Sequence, residues 1–296
     1  MKIKNSEKNK GIIALIILSV VFASMGVFVR FLQTDFTILQ QTYLRVFAAF
    51  ILGLIIFYKD LNFKKIKLIS IREWMILMLR SISLYVVGVT LLSQAYITTK
   101  YSNVSFIGSL PIVGLFGFIL LKEKVSLSKI LYILLGFVGV VLISIQGYSH
   151  FFSWGTGELL ALVASFAFAI SYIARKWQDN LLNNKEIAVI IFFIAGILLF
   201  TTSLILGEGL LTKSSFSEFI IPVIIIAGLF NVANLFLTNY GFQKVGAVLA
   251  GNLLMLEMVF AVVLGFIFYM EVPTIKELLG GLLIILSVYK INKLSN

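Results

Sequence analysis

Cysteine is absent from this chain, which excludes a disulfide framework, thiolate metal sites and thiol nucleophiles. Histidine occurs once, at His150, in a stretch that reads as a solvated loop. No HExxH zinc motif or P-loop is present, and no intramembrane His or Asp offers a base to a nucleophile. The sequence therefore reads as that of a non-enzyme needing no cofactor and no metal. Charged residues make up only 12% of 296 residues, too few for the surface of a soluble domain. With 60% hydrophobic residues and a mean hydropathy of +1.06, the composition is that of a polytopic membrane protein whose first partner is the lipid bilayer. At about 20 residues per crossing, the length allows at most about ten or eleven spans.

The apolar runs give ten spans: 11–31, 37–57, 74–98, 102–121, 128–146, 157–174, 187–206, 219–240, 247–269 and 275–291. The first is too long for a signal peptide and lacks a small-residue cleavage site. The formal net charge of +11 would suggest nucleic acid in a soluble protein, but its distribution argues for topology instead. Eighteen Lys and Arg fall on the side of the N terminus and four on the other, which puts both termini in the cytoplasm and assigns no nucleic-acid partner.

The halves resemble one another. Gly11 and Gly157, Ser19 and Ser165, Phe22 and Phe168, Ala23 and Ala169, and Arg30 and Lys176 pair at a constant offset of 146 residues. The stretch from Ala95 through Pro111 to Glu123 matches that from Gly241 through Glu257 to Glu271. The expected organisation is a cytoplasmic segment 1–10, a five-helix repeat 11–146, an outer linker 147–156, a second repeat 157–291 and a tail 292–296. Five is odd, so the second copy enters from the opposite face and the repeats are inverted, an architecture of secondary transporters with a site near the midplane.

Leu44-Arg45-Val46, Ala95-Tyr96 leading to Pro111, Glu123 and Leu135-Gly136-Phe137-Val138-Gly139-Val140 resemble the drug/metabolite transporter superfamily, as do Gly241, Leu256-Glu257, Glu271 and Leu279-Gly280-Gly281-Leu282. The most similar group is the EamA-type bacterial permeases, and the resemblance covers nearly the whole chain. Where relatives often carry Glu-Pro in the ninth span, Glu257 is followed by Met258, so the residue that would kink this helix is missing. The resemblance implies a central cleft lined by spans one, three, four, six, eight and nine, and a location in the bacterial inner membrane.

Charged groups at bilayer depth cost about 2.5–3.5 kcal/mol on insertion scales, and so mark candidate sites. Glu257 lies mid-span and could bind a proton or a substrate cation, and Arg80 is the candidate partner of a substrate carboxylate. Arg45 is expected to act between helices, in structure or coupling. Arg80, Ser83, Thr90 and Gln94 share one face of a regular helix, as do Ser102, Ser105 and Ser109, and Asn231, Asn234 and Thr238. Gln94, Asn231, Asn234 and Ser109 are read as orienting donors and acceptors, with Tyr172, Phe106 and Tyr85 as candidate walls. The expected function is secondary transport of a small polar or zwitterionic metabolite, such as an amino acid, with protons as a candidate coupling ion. The competing readings are an S-adenosylmethionine or other nucleotide-like carrier and a non-transporting membrane scaffold.

Overall fold

A computed structural model describes residues 5–99, 101–123, 125–144, 155–211, 219–270 and 272–294. Lys2, Lys4, Lys100, Lys124, Lys213 and Glu271, which enter the charge count or the repeat pairing, and the loop residue His150 lie outside the described residues. The first two crossings are α1 (Asn5–Leu32) and α2 (Ile38–Phe57). Thr37 starts α2 with a capping box, its hydroxyl accepting from Gln40 N while the Gln40 carboxamide accepts from Thr37 N. A short 3₁₀ turn, Phe63–Leu68, lies before the third crossing.

That crossing is built of three pieces: α3 (Ile71–Ser81), a π-helical stretch (Ile82–Val89) and α4 (Thr90–Thr98). The fourth is broken into α5 (Tyr101–Gly108) and α6 (Ile112–Leu121), with Pro111 at the break, where the missing N–H cannot continue the ladder. Next come α7 (Leu127–Ser144), α8 (Thr156–Ala174), α9 (Asn184–Ile205) and α10 (Ile220–Lys244). The ninth crossing is also broken, into α11 (Ala247–Leu254) and α12 (Leu256–Tyr269), and α13 (Ile275–Leu294) completes the chain of helices. Among the described residues nine helical segments are long and apolar enough to cross a membrane. The tenth, α13, carries Lys276 and Glu277 at one end and Lys290 and Lys293 at the other, and packs along α7.

The helices pack in a reciprocal pattern. α2 lies against α9, α6 against α11 and α7 against α13, so the second, fourth and fifth helices of each half meet their own counterparts. α1 lies against α10, and α8 against α3, the π stretch and α4, so the first helix of each half lies on the third of the other. Individual bonds repeat this relation. Ser19 Oγ donates to Leu253 O at 3.2 Å, and Ser165 Oγ donates to Ile107 O at 3.4 Å. Gly11 meets Val245, whose Cγ2 lies 2.8 Å from where a Cβ would stand, and Gly157 meets Thr99 in the same way at 2.7 Å to its Cβ. Each partner pair is again 146 residues apart, so the sequence offset describes equivalent places in space.

Glu123 fixes the start of the ninth crossing. Its Oε1 accepts from Ala247 N at 2.7 Å and its Oε2 from Val248 N at 3.1 Å, which satisfies two of the free N–H groups at the head of α11. Glu123→Ala is expected to cost about 1–2 kcal/mol, in the range of a lost helix cap. A thermal melt of the purified protein in detergent reads the loss, and an unchanged midpoint would mean that water replaces the carboxylate without penalty.

Candidate functional site

The two broken crossings meet at a cavity of ≈ 110 Å³. Gly108, Ser109, Leu110 and Ile112 line it from the α5–α6 break, and Gly251, Leu254, Met255 and Glu257 from the α11–α12 break. The break in the ninth crossing forms without proline: Met255 N and Met258 N each bond the carbonyl three residues back, at Asn252 O and Met255 O, both at 3.2 Å. This tight turn interrupts the helix as effectively as Pro111 does in the fourth crossing. The remaining wall comes from α1, α2, the third crossing, α8 and α10. Compared with the cleft implied by the sequence resemblance, α2 is an addition. Along the third crossing the lining runs from Leu84 to Tyr96, so the cavity extends from mid-helix toward the side opposite the N terminus.

A carboxyl group and a guanidinium face this space. Glu257 stands in the first turn of α12, where the helix dipole favours a negative group, and it makes no hydrogen bond or ion pair among the described residues. Arg45 comes from α2 and is 3% exposed. Its Nε donates to Gln41 O at 3.2 Å and its Nη2 to Thr42 Oγ1 at 3.4 Å, both within its own helix, and no carboxylate of the described residues lies within ion-pairing distance. Arg45 and Glu257 line one cavity, and no ion pair joins them.

The other candidate residues divide. Asn231, Asn234, Tyr172 and Ser109 line the cavity, as does Tyr85. Asn231 Nδ2 donates to Ala227 O at 2.9 Å, while Asn234 has no hydrogen-bond partner among the described residues. Tyr172 is stacked between Phe168 and Phe242, with ring centroids 6.2 and 4.8 Å away, which fixes the plane of its ring. Phe106 is outside the lining and packs against Phe137 at 5.8 Å. Gln94 is also outside, with its Nε2 3.4 Å from Thr98 Oγ1 in its own helix. The single polar face expected for the third crossing does not form, because π turns lie between Arg80 and Gln94. One extra residue in the ladder rotates the remainder of the helix by about 100°. Thr90 Oγ1 shows the shift by donating to Tyr85 O, five residues back, at 3.1 Å. Ser93 and Tyr96 take the cavity-facing positions, which reasoning on a regular helix does not find.

Arg80 is also outside the lining, fully buried below it on the N-terminal side. Its Nε donates to Ser171 O at 3.1 Å, Nη1 to Gln178 Oε1 at 2.6 Å and Nη2 to Asn239 Oδ1 at 2.6 Å. Around it, Gln178 Nε2 donates to Glu73 Oε1 at 2.9 Å, and Arg175 Nη2 and Asn184 Nδ2 donate to Asn184 Oδ1 at 2.7 Å and Gln243 Oε1 at 2.8 Å respectively. Each guanidinium nitrogen makes one bond to the protein, and Arg80 is not among the residues that line the cavity. The guanidinium that lines it is that of Arg45.

Comparison with known proteins adds the family. The model of the EamA-like transporter family matches this chain twice, over residues 9–145 and 155–293. A protein of Synechocystis sp. described as an uncharacterized transporter is 24% identical over 257 residues, covering 79% of this chain and 70% of that protein. A solved structure described only as the crystal structure of a protein superposes with a TM-score of 0.77 at 14% identity, covering 98% of both chains, a likeness of fold. Two family matches in tandem, one on each half of a reciprocally packed helical membrane protein with a cavity at its broken helices, place the chain in the EamA-like transporter family.

Proposed function

We propose that this transporter moves a small zwitterionic metabolite, an amino acid or close relative, by alternating access, and that Arg45 and Glu257 grip its two charged ends. The observation that carries the reading is that a guanidinium and a carboxyl group line one cavity with no ion pair between them. An α-carboxylate suits the planar donors of Arg45, and an α-ammonium suits Glu257. Each buried charge costs free energy until a counter-charge arrives, so a ligand carrying both gains at both ends. Asn231 and Asn234 supply further amide groups to the same cavity. Phe22, Met25, Val29, Leu92, Ile112 and Phe168 make much of the remaining wall apolar, which favours an apolar side chain on the substrate. Glu257 can hold a proton or the substrate ammonium but not both, which gives a route to proton coupling. The excess of Lys and Arg on the N-terminal side supports an orientation with both termini in the cytoplasm of a bacterial inner membrane.

The test is uptake into proteoliposomes of radiolabelled amino acids, with S-adenosylmethionine in the same panel, with and without a pH gradient. Saturable uptake of an amino acid that responds to the gradient is expected, and Glu257→Gln is expected to lose that response. Transport of S-adenosylmethionine alone would overturn the substrate class, and an unaltered gradient response in the variant would remove Glu257 from coupling.

A further inference from the structure

The third crossing and α10 are the equivalent members of the two halves, and both border the cavity. On the N-terminal side they are tied together by Arg80 Nη2 and Asn239 Oδ1 at 2.6 Å. On the opposite side the repeat gives a different pair. Ser93 stands 146 residues before Asn239, and the stretch of α10 around Ala227 answers to Arg80 once the extra residue of the π turn is counted. Ser93 lines the cavity, Ala227 has no side-chain donor, and among the described residues no side-chain hydrogen bond joins the third crossing to α10 there. The same two helices are thus joined at one end and separated by the cavity at the other.

Inverted repeats exchange these roles when a carrier turns over, each half adopting the arrangement its counterpart held. In the state facing the N-terminal side, the two helices have to part where Arg80 now meets Asn239. We infer that Arg80, with Asn239 and Gln178, is the latch of the gate on the N-terminal side, and that it opens in every transport cycle. The assignment rests on the alternating-access reading but not on the identity of the substrate. Its connection to the site runs through the helices it joins: Arg80 Nε bonds the carbonyl of Ser171, the residue before Tyr172, and Tyr85 follows Arg80 in the third crossing, both tyrosines lining the cavity. Arg80 is in this sense a positioning residue, which sets the side to which the site is open without touching the cargo.

The absence of cysteine makes the test clean, because a single Ser109→Cys reporter in the cavity is the only thiol. Its reaction with a membrane-impermeant maleimide is measured in vesicles of both orientations. In the parent, labelling is expected to be faster from the side opposite the N terminus. Asn239→Ala and Gln178→Ala each remove one charge-assisted bond of the latch, and each is expected to raise labelling from the N-terminal side about tenfold or more. Arg80→Lys, which keeps the charge but offers a point donor in place of a fork, is expected to fall between parent and these variants. Lys65→Ala is the control: it breaks the 3.0 Å ion pair with Glu186 on the same side without touching the contact between the third crossing and α10. No rise in folded Asn239→Ala and Gln178→Ala proteins, or an equal rise in Lys65→Ala, would overturn the latch. Labelling needs no substrate, so failure to find a transported metabolite would sink the substrate proposal and leave this result standing.

Discussion

Gly139→Val is expected to lower the melting midpoint by about 6–12 °C, from a loss of roughly 3 kcal/mol or more, the largest stability effect of any single substitution considered. The reason is geometric. A Cβ at Gly139 would stand 2.5 Å from Gly280 O and 2.9 Å from Ile284 Cγ1, and a Cβ at Gly280 would stand 2.5 Å from Gly139 O and 2.8 Å from Ile143 Cγ1. Each glycine meets the other's carbonyl oxygen at the same distance. The atom met is a backbone carbonyl oxygen in both cases, and it can move only if the whole helix moves. In lipid there is little hydrophobic force to hold the separated helices together, so close backbone approach at small residues supplies much of the association. Gly280→Val is expected to match Gly139→Val. Gly108→Ala is the comparison, since nothing lies within 4 Å of its would-be Cβ. Equal melts for Gly139→Val and Gly108→Ala would show that the α7–α13 seam does not depend on that contact.

How much of this is legible in the sequence depends on distance along the chain. The spans are readable because each is a local apolar run, and the repeat because Ser19, Gly11 and their partners recur at one offset. The structure shows why those positions match: they make the same bonds and contacts in both halves. A regular-helix pattern misreads the third crossing where it leaves α-helical register, since the i→i+5 pattern of Ile82–Val89 has no compositional mark and turns Gln94 away while bringing Ser93 and Tyr96 inward. The break at Met255 escapes for a related reason, as proline is the only breaker a sequence displays plainly. Sequence reasoning expects Arg80 to meet a substrate carboxylate and Arg45 to act between helices, whereas in the structure Arg45 lines the cavity and Arg80 lies outside it. The partners that hold Arg80, Gln178 and Asn239, are 98 and 159 residues away, so nothing near it in sequence announces that its donors are already engaged. Among the described residues Arg45 finds hydrogen-bond partners only within its own helix, and the cavity beyond it is visible only once α1, α8 and α10 are assembled around it.

The second large effect falls on selectivity. Arg45→Gln is expected to raise the KM for a zwitterionic amino acid by about ten- to a hundredfold, because a charge-assisted bond to the substrate carboxylate of roughly 1.5–3 kcal/mol is removed. The same variant is expected to take up the corresponding amine, which lacks the carboxylate, better than the parent does. In the parent, an amine leaves the buried Arg45 charge uncompensated beside the ligand, whereas the variant has no charge there to leave. Glu257→Gln should behave in the opposite sense, losing amines and amino acids together while accepting the deaminated acid. This reversal separates a ligand-gripping Arg45 from one that merely braces α2 against its neighbours. A bracing residue, once removed, would lower the transport of every cargo and the thermal midpoint together, with no change in the ratio of amine to amino acid. Competition uptake of the two labelled cargoes into the same proteoliposomes reads that ratio directly, and a ratio equal to the parent's would take Arg45 out of the substrate site.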